Sequence, residues 1–290
     1  MEVRWTVLSV LQWTAEYFGR KDIEQPRASA EILLAHVLSM ERIQLYLNFD
    51  RPLTPLELAS YREVIRRRVA REPNQYITGK QEFWSLELEV TPAVLIPRPE
   101  TELLVEKTLD LVRNSAKRVL DLGTGSGAIA IALAHECPAL DVIASDQSCA
   151  ALQVARRNAL RHRLLDRIAL VATDLLGGFS SSSAPFDVIV SNPPYIGEKE
   201  FPFLAPEVIQ YEPNTALLAG PQGLSAIRRI LREAPAYLKS QGSLLLEIGA
   251  GHAEMLREEL KNDPFFDLCE FHRDYSGILR VLHVRKVGGS

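Results

Sequence analysis

The chain has 290 residues, 47% hydrophobic and 24% charged, a composition suited to one large or two modest globular domains with a substantial core. Its net charge of -4 argues against a protein whose main business is coating nucleic acid, because that work needs a basic footprint. Three cysteines, Cys137, Cys149 and Cys269, form no Cys-x-x-Cys pair, which points to a reducing compartment and away from structural zinc.

Acids at Glu2 and Glu16 and the short apolar stretch Val7 to Leu11 do not make a secretory or transit signal. No apolar run approaches the roughly 18 residues that span a bilayer. The cytoplasm is therefore the expected location. The mild charge and the lack of a long heptad pattern make a monomer the expected state. No internal repeat is visible, and the longest low-complexity tract is Ser180-Ser-Ser-Ser183.

The first eighty residues read as helices. Trp5, Leu8, Val10, Leu11, Trp13, Tyr17 and Phe18 recur near helical spacing, as do Ile32, Leu33, Val37 and Leu38 within Ala30 to Leu38. Thr54-Pro55-Leu56-Glu57 has the spacing of a capping box with proline at the first helical position, and that helix should run to about Arg71, where Glu72-Pro73 stops it. Its Arg66-Arg67-Arg68 run has the look of a phosphate patch, but Glu63 four residues before Arg67 favours an exposed, solvated face. Phe83 to Val90 alternates apolar and polar residues and should form a strand or hairpin, broken by Thr91-Pro92 and Ile96-Pro97-Arg98-Pro99. Pro99-Glu100-Thr101-Glu102 then opens another helix, with acids at the amino end where the dipole favours them.

From Arg118 the rhythm changes to short β-rich runs separated by helices. Strands are expected at Val119–Asp121, Val142–Ser145, Ile168–Ala172, Val188–Val190, Ser243–Glu247, Phe266–Phe271 and Ile278–Val284. Helices are expected at Ala128–His135, Ser148–Arg161, Ser225–Leu238 and Ala253–Lys261. Strands alternating with helices build parallel βαβ units covered on both faces. Only Arg273 to Gly277 separates the last two strands, too short for a parallel crossover, so they should form an antiparallel hairpin. The expected fold is α/β: a doubly wound seven-stranded sheet with an antiparallel terminal hairpin, preceded by a small helical domain. The boundaries are 1–80 for the helical domain, 81–100 for a β-hairpin and proline-rich linker, and 101–290 for the sheet domain.

Two loops carry the chemistry. Gly123, Gly125 and Gly127, with Thr124 and Ser126 between them, follow the first strand and open a helix. Small residues there let backbone amides approach a ligand, and the helix start favours an anion. Asp146 ends the second strand, where an acid accepts bonds from both ribose hydroxyls. Gly123, Gly125 and Ala128 also satisfy the dinucleotide pattern, so a nicotinamide cofactor stays open at this step. Asp174, after the third strand, either meets an adenine amino group or caps the turn before Gly177-Gly178.

The second loop is Asn192-Pro193-Pro194-Tyr195, directly after a buried strand. Its prolines restrict the backbone, so carbonyl acceptors are held outward without reorganisation, and Tyr195 offers an aromatic face. An amide nitrogen is a poor nucleophile because its lone pair is delocalised; the same resonance opposes twisting by about 18–20 kcal/mol. The Asn192 side chain and the Pro193 carbonyl can accept both N–H groups as positive charge builds on such a nitrogen. A sulfonium methyl donor would then need neither metal nor dedicated base. Hydride transfer is the rival, since Tyr195 and Lys199 have the Tyr-x-x-x-Lys spacing; that pair must share a helix face, and Pro193, Pro194 and Gly197 oppose a helix here.

Taken together these segments resemble the glutamine-N5 methyltransferases that modify peptide chain release factors. The resemblance covers nearly the whole chain. It includes Ala30-Glu31-Ile-Leu-Leu, Glu72-Pro73-x-x-Tyr76-Ile77-x-Gly79, Ile96-Pro-Arg-Pro-Glu-Thr-Glu102, Asp121-Leu-Gly-Thr-Gly-Ser-Gly127 and Ser191-Asn-Pro-Pro-Tyr195. Farther on it includes Tyr211-Glu-Pro213, Ala216-Leu217, Gly220, Gly223-Leu224 and Arg273-Asp-Tyr-Ser-Gly277.

The resemblance implies a class I methyltransferase sheet and S-adenosylmethionine held at Gly123 to Gly127, Asp146 and Asn192. It also implies a substrate glutamine, from a Gly-Gly-Gln tip, gripped by Asn192 to Tyr195, and a helical domain that helps dock the release factor. Where the family often has Trp after the acid of the third strand, this chain has Leu175, so adenine packing there should be aliphatic. A sister branch methylates a ribosomal protein glutamine, and adenine-N6 DNA methyltransferases share the acceptor loop. The acidic balance disfavours the DNA enzymes, which need a basic base-flipping surface. Tyr211-Glu-Pro213 resembles the release-factor branch.

Overall fold

The computed structural model describes residues 5–113, 117–181 and 186–288. Glu2 and the last two serines of the Ser180–Ser183 tract lie outside these residues. The chain divides into two compact units: one runs through Lys80 and includes Ala205–Tyr211, and the other comprises Gln81–Leu204 and Glu212 onward.

The first unit is helical. Helix α1 spans Val7–Gly19, α2 Pro26–Leu38, α3 Arg42–Leu47, α4 Pro55–Val69 and α5 Asn74–Thr78. The capping box expected at Thr54 is present: its hydroxyl accepts from the Glu57 amide, and Glu57 accepts from the Thr54 amide in return. Val7, Phe18, Leu33, Leu34, Leu45 and Tyr61 form the core. The arginine run of α4 departs from a uniformly solvated face. Arg66 pairs with Glu63 and Arg67 with Glu72, whereas Arg68 is buried against Glu207, 3.0 Å away, and reaches the Ser29 hydroxyl at 3.3 Å. A buried guanidinium needs such partners, which helical spacing alone does not reveal.

The second unit begins, from Gln81, in a hairpin of β1 (Lys80–Phe83) and β2 (Leu86–Glu89). Trp84 and Ser85 turn the chain, both with positive φ, as a two-residue type I′ turn requires. Then follow α6 (Thr101–Val112), β3 (Arg118–Leu122), α7 (Ala128–Glu136), β4 (Asp141–Asp146), α8 (Cys149–Arg161), β5 (Ile168–Ala172) and β6 (Phe186–Ser191). After α9 (Pro206–Tyr211), which belongs to the first unit, come α10 (Ser225–Glu233), β7 (Leu238–Glu247), α11 (His252–Leu260), β8 (Phe266–Arg273) and β9 (Leu279–Lys286).

The sheet has seven strands in the order β5-β4-β3-β6-β7-β9-β8, parallel except for β9, which runs antiparallel to both its neighbours. The terminal hairpin is thus present, with β9 inserted beside β7 and β8 at the edge. Helix α10 stops at Glu233 instead of Leu238 because Pro235 cannot continue it, and β7 starts earlier, at Leu238. Along β3, Val119 packs into the core beneath α6 and α7, while Leu120 and Leu122 pack beneath α10 and α11. Each such residue is fully buried, a gain of roughly 1.5–3 kcal/mol apiece. β3 pairs with β4 on one side and β6 on the other, so strand order reverses there and a crevice opens at the carboxyl ends.

Candidate functional site

The glycine turn leaves β3 at that crevice. Asp121 is fully buried; its Oδ2 accepts from the Thr124 hydroxyl at 2.7 Å and from the Ala130 amide at 3.2 Å, closing the turn onto the first turn of α7. Burial pushes its carboxyl up to about 7 against those two bonds. Gly123 and Gly125 have φ of +70° and +57°, and nothing lies within 4 Å of where a Cβ would stand. Their backbone is therefore open to a ligand. Gly127 is different: a Cβ there would meet Ile131 Cδ1 at 3.0 Å and Ala155 Cβ at 3.2 Å, so this glycine lets α7 pack against α8. Asp146 ends β4 with each carboxylate oxygen fixed by one backbone amide, Gly125 at 2.9 Å and Ser148 at 2.8 Å. Its remaining lone pairs are oriented before any ligand arrives.

Strand β6 delivers the second loop on the other side of β3. The Ser191 hydroxyl donates to the Leu122 carbonyl at 2.7 Å, locking the two strand ends together. Asn192, Pro193 and Pro194 follow, and Asn192 Nδ2 donates to Thr101 Oγ1 at 3.1 Å. The Thr101 hydroxyl in turn donates to Glu247 Oε2 at 2.7 Å, and the Tyr195 hydroxyl donates to Glu247 Oε1 at 3.2 Å. Burial raises the Glu247 carboxyl to about 7 and moves the Tyr195 hydroxyl up as well. Residues 195 to 199 are not helical, which removes the shared face that the Tyr195–Lys199 pair would need for hydride chemistry.

Between the two loops lies a cavity of about 370 Å³. Gly123, Thr124, Gly125, Ser126, Asp146, Asp174, Leu175, Asn192, Pro193 and Pro194 all line it. Gly127 and Tyr195 do not; Tyr195 packs behind the loop against the core that holds Leu246 and Ile248. Asp174 pairs with Arg229 at 2.7 Å, and it is the backbone carbonyl of Asp174, not its side chain, that accepts from the Gly177 amide. Leu175, held at φ +48°, supplies an aliphatic wall.

Other lining residues had no site role assigned from the sequence: Val94, Leu95 and Ile129, the distant Arg229, and Pro97 and Thr101 within the Ile96–Glu102 motif. The buried Glu212 carboxylate holds that segment by pairing with Arg98 at 2.5 Å and accepting the Ile96 amide at 3.3 Å. Glu247 carried one signal that could have flagged it, an acid ending the apolar run Leu244-Leu245-Leu246 at the ligand edge of the sheet.

The arrangement joins an open backbone cradle at a helix start, a carboxylate aimed for a diol, an apolar slot and an amide side chain at one cavity. Those features fit a nucleoside carrying a charged tail, with a second, amide-bearing reactant beside it.

Residues 9–79 match the family model described as the PrmC N-terminal domain, and residues 99–217 match the methyltransferase small domain. The release factor glutamine methyltransferase of Geobacter sulfurreducens is 44% identical over 278 residues, with 96% of each chain covered. The human MTRF1L release factor glutamine methyltransferase is 38% identical, over 96% of this chain and 87% of its own. The crystal structure of a methyltransferase from Pyrococcus furiosus has a TM-score of 0.52 at 19% identity, covering 79% of this chain and 98% of that chain, a likeness of fold. No helix among the described residues is long and apolar enough to cross a membrane.

Proposed function

Because the chain belongs to the release factor glutamine methyltransferase family, we propose that it transfers a methyl group from S-adenosylmethionine to the side-chain nitrogen of the glutamine in the Gly-Gly-Gln motif of peptide chain release factors. The observation that carries this reading is that Asn192 opens onto the same cavity as the glycine turn and Asp146.

In this reading Gly123 to Ser126 and the start of α7 receive the cofactor's carboxylate, Asp146 its ribose hydroxyls, and Leu175 and Ile129 its base. When bound, the sulfonium supplies an activated methyl and a neutral thioether leaving group. The protein's task is the nitrogen. Asn192 Oδ1 and the Pro193 carbonyl accept its two N–H groups, which orients the nitrogen and stabilises the positive charge that grows there. The new N–CH3 bond forms as the S–CH3 bond breaks, and one N–H proton then leaves to water. Pro194 stiffens the loop, and Tyr195 braces it from behind. Residues 1–80 serve as the docking domain for the release factor, 81–100 as hairpin and linker, and 101–290 as the catalytic domain. The enzyme works as a monomer in the cytoplasm, without binding nucleic acid directly.

Incubation with purified release factor and methyl-labelled cofactor, followed by fragment mass spectrometry, tests the assignment. Label on the tip glutamine is expected. Label confined to another residue, or to a ribosomal protein, would move the chain to a different substrate.

A further inference from the structure

We propose that Thr101 and Glu247 are positioning residues that set the direction of the Asn192 amide, so that its oxygen and not its nitrogen faces the substrate. This rests on the acceptor role of Asn192 given above.

The two ends of an asparagine amide have nearly the same shape, and only hydrogen-bond partners distinguish them. An amide turned the wrong way would present two donors to an N–H group and repel it. Thr101 prevents that by arithmetic of donors. Its hydroxyl has a single proton, and that proton goes to Glu247 Oε2 at 2.7 Å. In its ionised form that carboxylate has none to give back. Thr101 Oγ1 can therefore only accept from Asn192, so the group 3.1 Å away must be the Nδ2 amine, which leaves Oδ1 outward.

The other oxygen of the same carboxylate accepts the Tyr195 hydroxyl at 3.2 Å. Glu247 thus holds the last residue of the loop directly and the first through Thr101, with two prolines between them. Thr101 and Glu247 are both buried and lie 146 positions apart, joined only through the fold. Low surrounding polarity makes each bond of such a chain strong and an unmet one costly.

The test uses the full-length protein. Thr101→Val removes the hydroxyl with little change of shape and Thr101→Ser restores it; Glu247→Leu removes the carboxylate. Thr101→Val should lower kcat tenfold or more while the cofactor Kd stays within about twofold; Tm should drop by a few degrees because a buried partner is lost, with the protein still folded at the assay temperature, and Thr101→Ser should recover most of the rate and of the Tm. The double variant Thr101→Val with Glu247→Leu should lose no more than the worse single change, because the residues act as one unit. Full turnover in Thr101→Val would overturn the proposal, as would losses that multiply in the double variant. So would a defect explained by cofactor affinity or unfolding.

A readout independent of the substrate's identity is the Asn192 side-chain amide in NMR, assigned by its absence in Asn192→Ala. One of its protons should be protected from exchange in the wild type and unprotected in Thr101→Val. Protection that survives in Thr101→Val sinks the network even if the methylation reading stands. Protection lost as expected, in an enzyme that does not methylate release factor, sinks only the functional reading.

Discussion

Replacing Asn192 by alanine removes one of the two proposed acceptors together with the 3.1 Å bond from its Nδ2 to Thr101 Oγ1. Thr101 keeps its 2.7 Å bond to Glu247, Ser191 keeps its 2.7 Å bond to the Leu122 carbonyl, and the two prolines still restrict the loop. The frame of the site should survive, so the effect falls on the transition state. Deleting one preorganised hydrogen-bond partner aimed at developing charge costs about 2.7–4 kcal/mol, or 10² to 10³ in rate. Single-turnover methylation of purified release factor should therefore slow by two to three decades. Cofactor affinity measured by calorimetry should change by less than about threefold, well under the 1.4 kcal/mol of a tenfold shift. A rate within tenfold of wild type would refute the acceptor role. A rate loss matched by an equal loss of cofactor affinity would refute the division of labour between the two loops.

Three other outcomes follow from the same geometry. Asp146→Ala removes an oriented charged acceptor worth roughly 1.5–3 kcal/mol, so the cofactor Kd should rise ten- to a hundredfold by calorimetry with the thermal transition retained. Gly127→Ala would push a Cβ to 3.0 Å from Ile131 at φ +85°, and it should lower stability by about 1–3 kcal/mol in urea titration; Gly125→Ala meets no atom but carries the backbone strain of φ +57°, so it should cost less stability than Gly127→Ala while disturbing ligand binding. Finally, Asp121 and Glu247 both titrate near 7 in the folded protein, above their unfolded values of 3.8 and 4.5. Their stabilising contribution is full below about pH 4 and is lost as pH rises through 7, each group costing up to about 1.4 kcal/mol per pH step of one across that interval. Turnover should move the other way, because a proton on Glu247 frees the Thr101 hydroxyl to turn; the groups facing that carboxyl are Thr101, Tyr195, Arg280 on β9 and Glu100 before α6. From pH 6 to 8, Tm should fall while kcat rises, and Glu247→Gln should lose the rise in kcat.

The sheet was legible because its signals are local. Short apolar or alternating β-rich runs, Gly123 to Gly127 after β3, and the short Arg273–Gly277 turn each state their structure within a dozen positions. The loop Asn192-Pro193-Pro194-Tyr195 was legible for the same reason. Helices α3, α5 and α9 were missed because each is under two turns long, and Ile43, Tyr46 and Leu47 of α3 are exposed, leaving no apolar stripe to read. Arg68 looked like its neighbours Arg66 and Arg67, yet only the fold brings it to Glu207. Thr101 and Glu247 were invisible as a pair for the same cause, and Tyr195, read as an aromatic wall of the cavity, proves to stand behind the loop with its hydroxyl on Glu247. Spacing reveals what one element does alone; it is silent about contacts made only when distant elements meet.

The most direct measurement is a crystal structure of the enzyme with the demethylated cofactor and a peptide carrying the Gly-Gly-Gln tip. The glutamine nitrogen is expected about 3 Å from both Asn192 Oδ1 and the Pro193 carbonyl, in line with the sulfur. A glutamine whose amide oxygen meets the loop, or which sits outside this cavity, would contradict the acceptor role on which the mechanism stands.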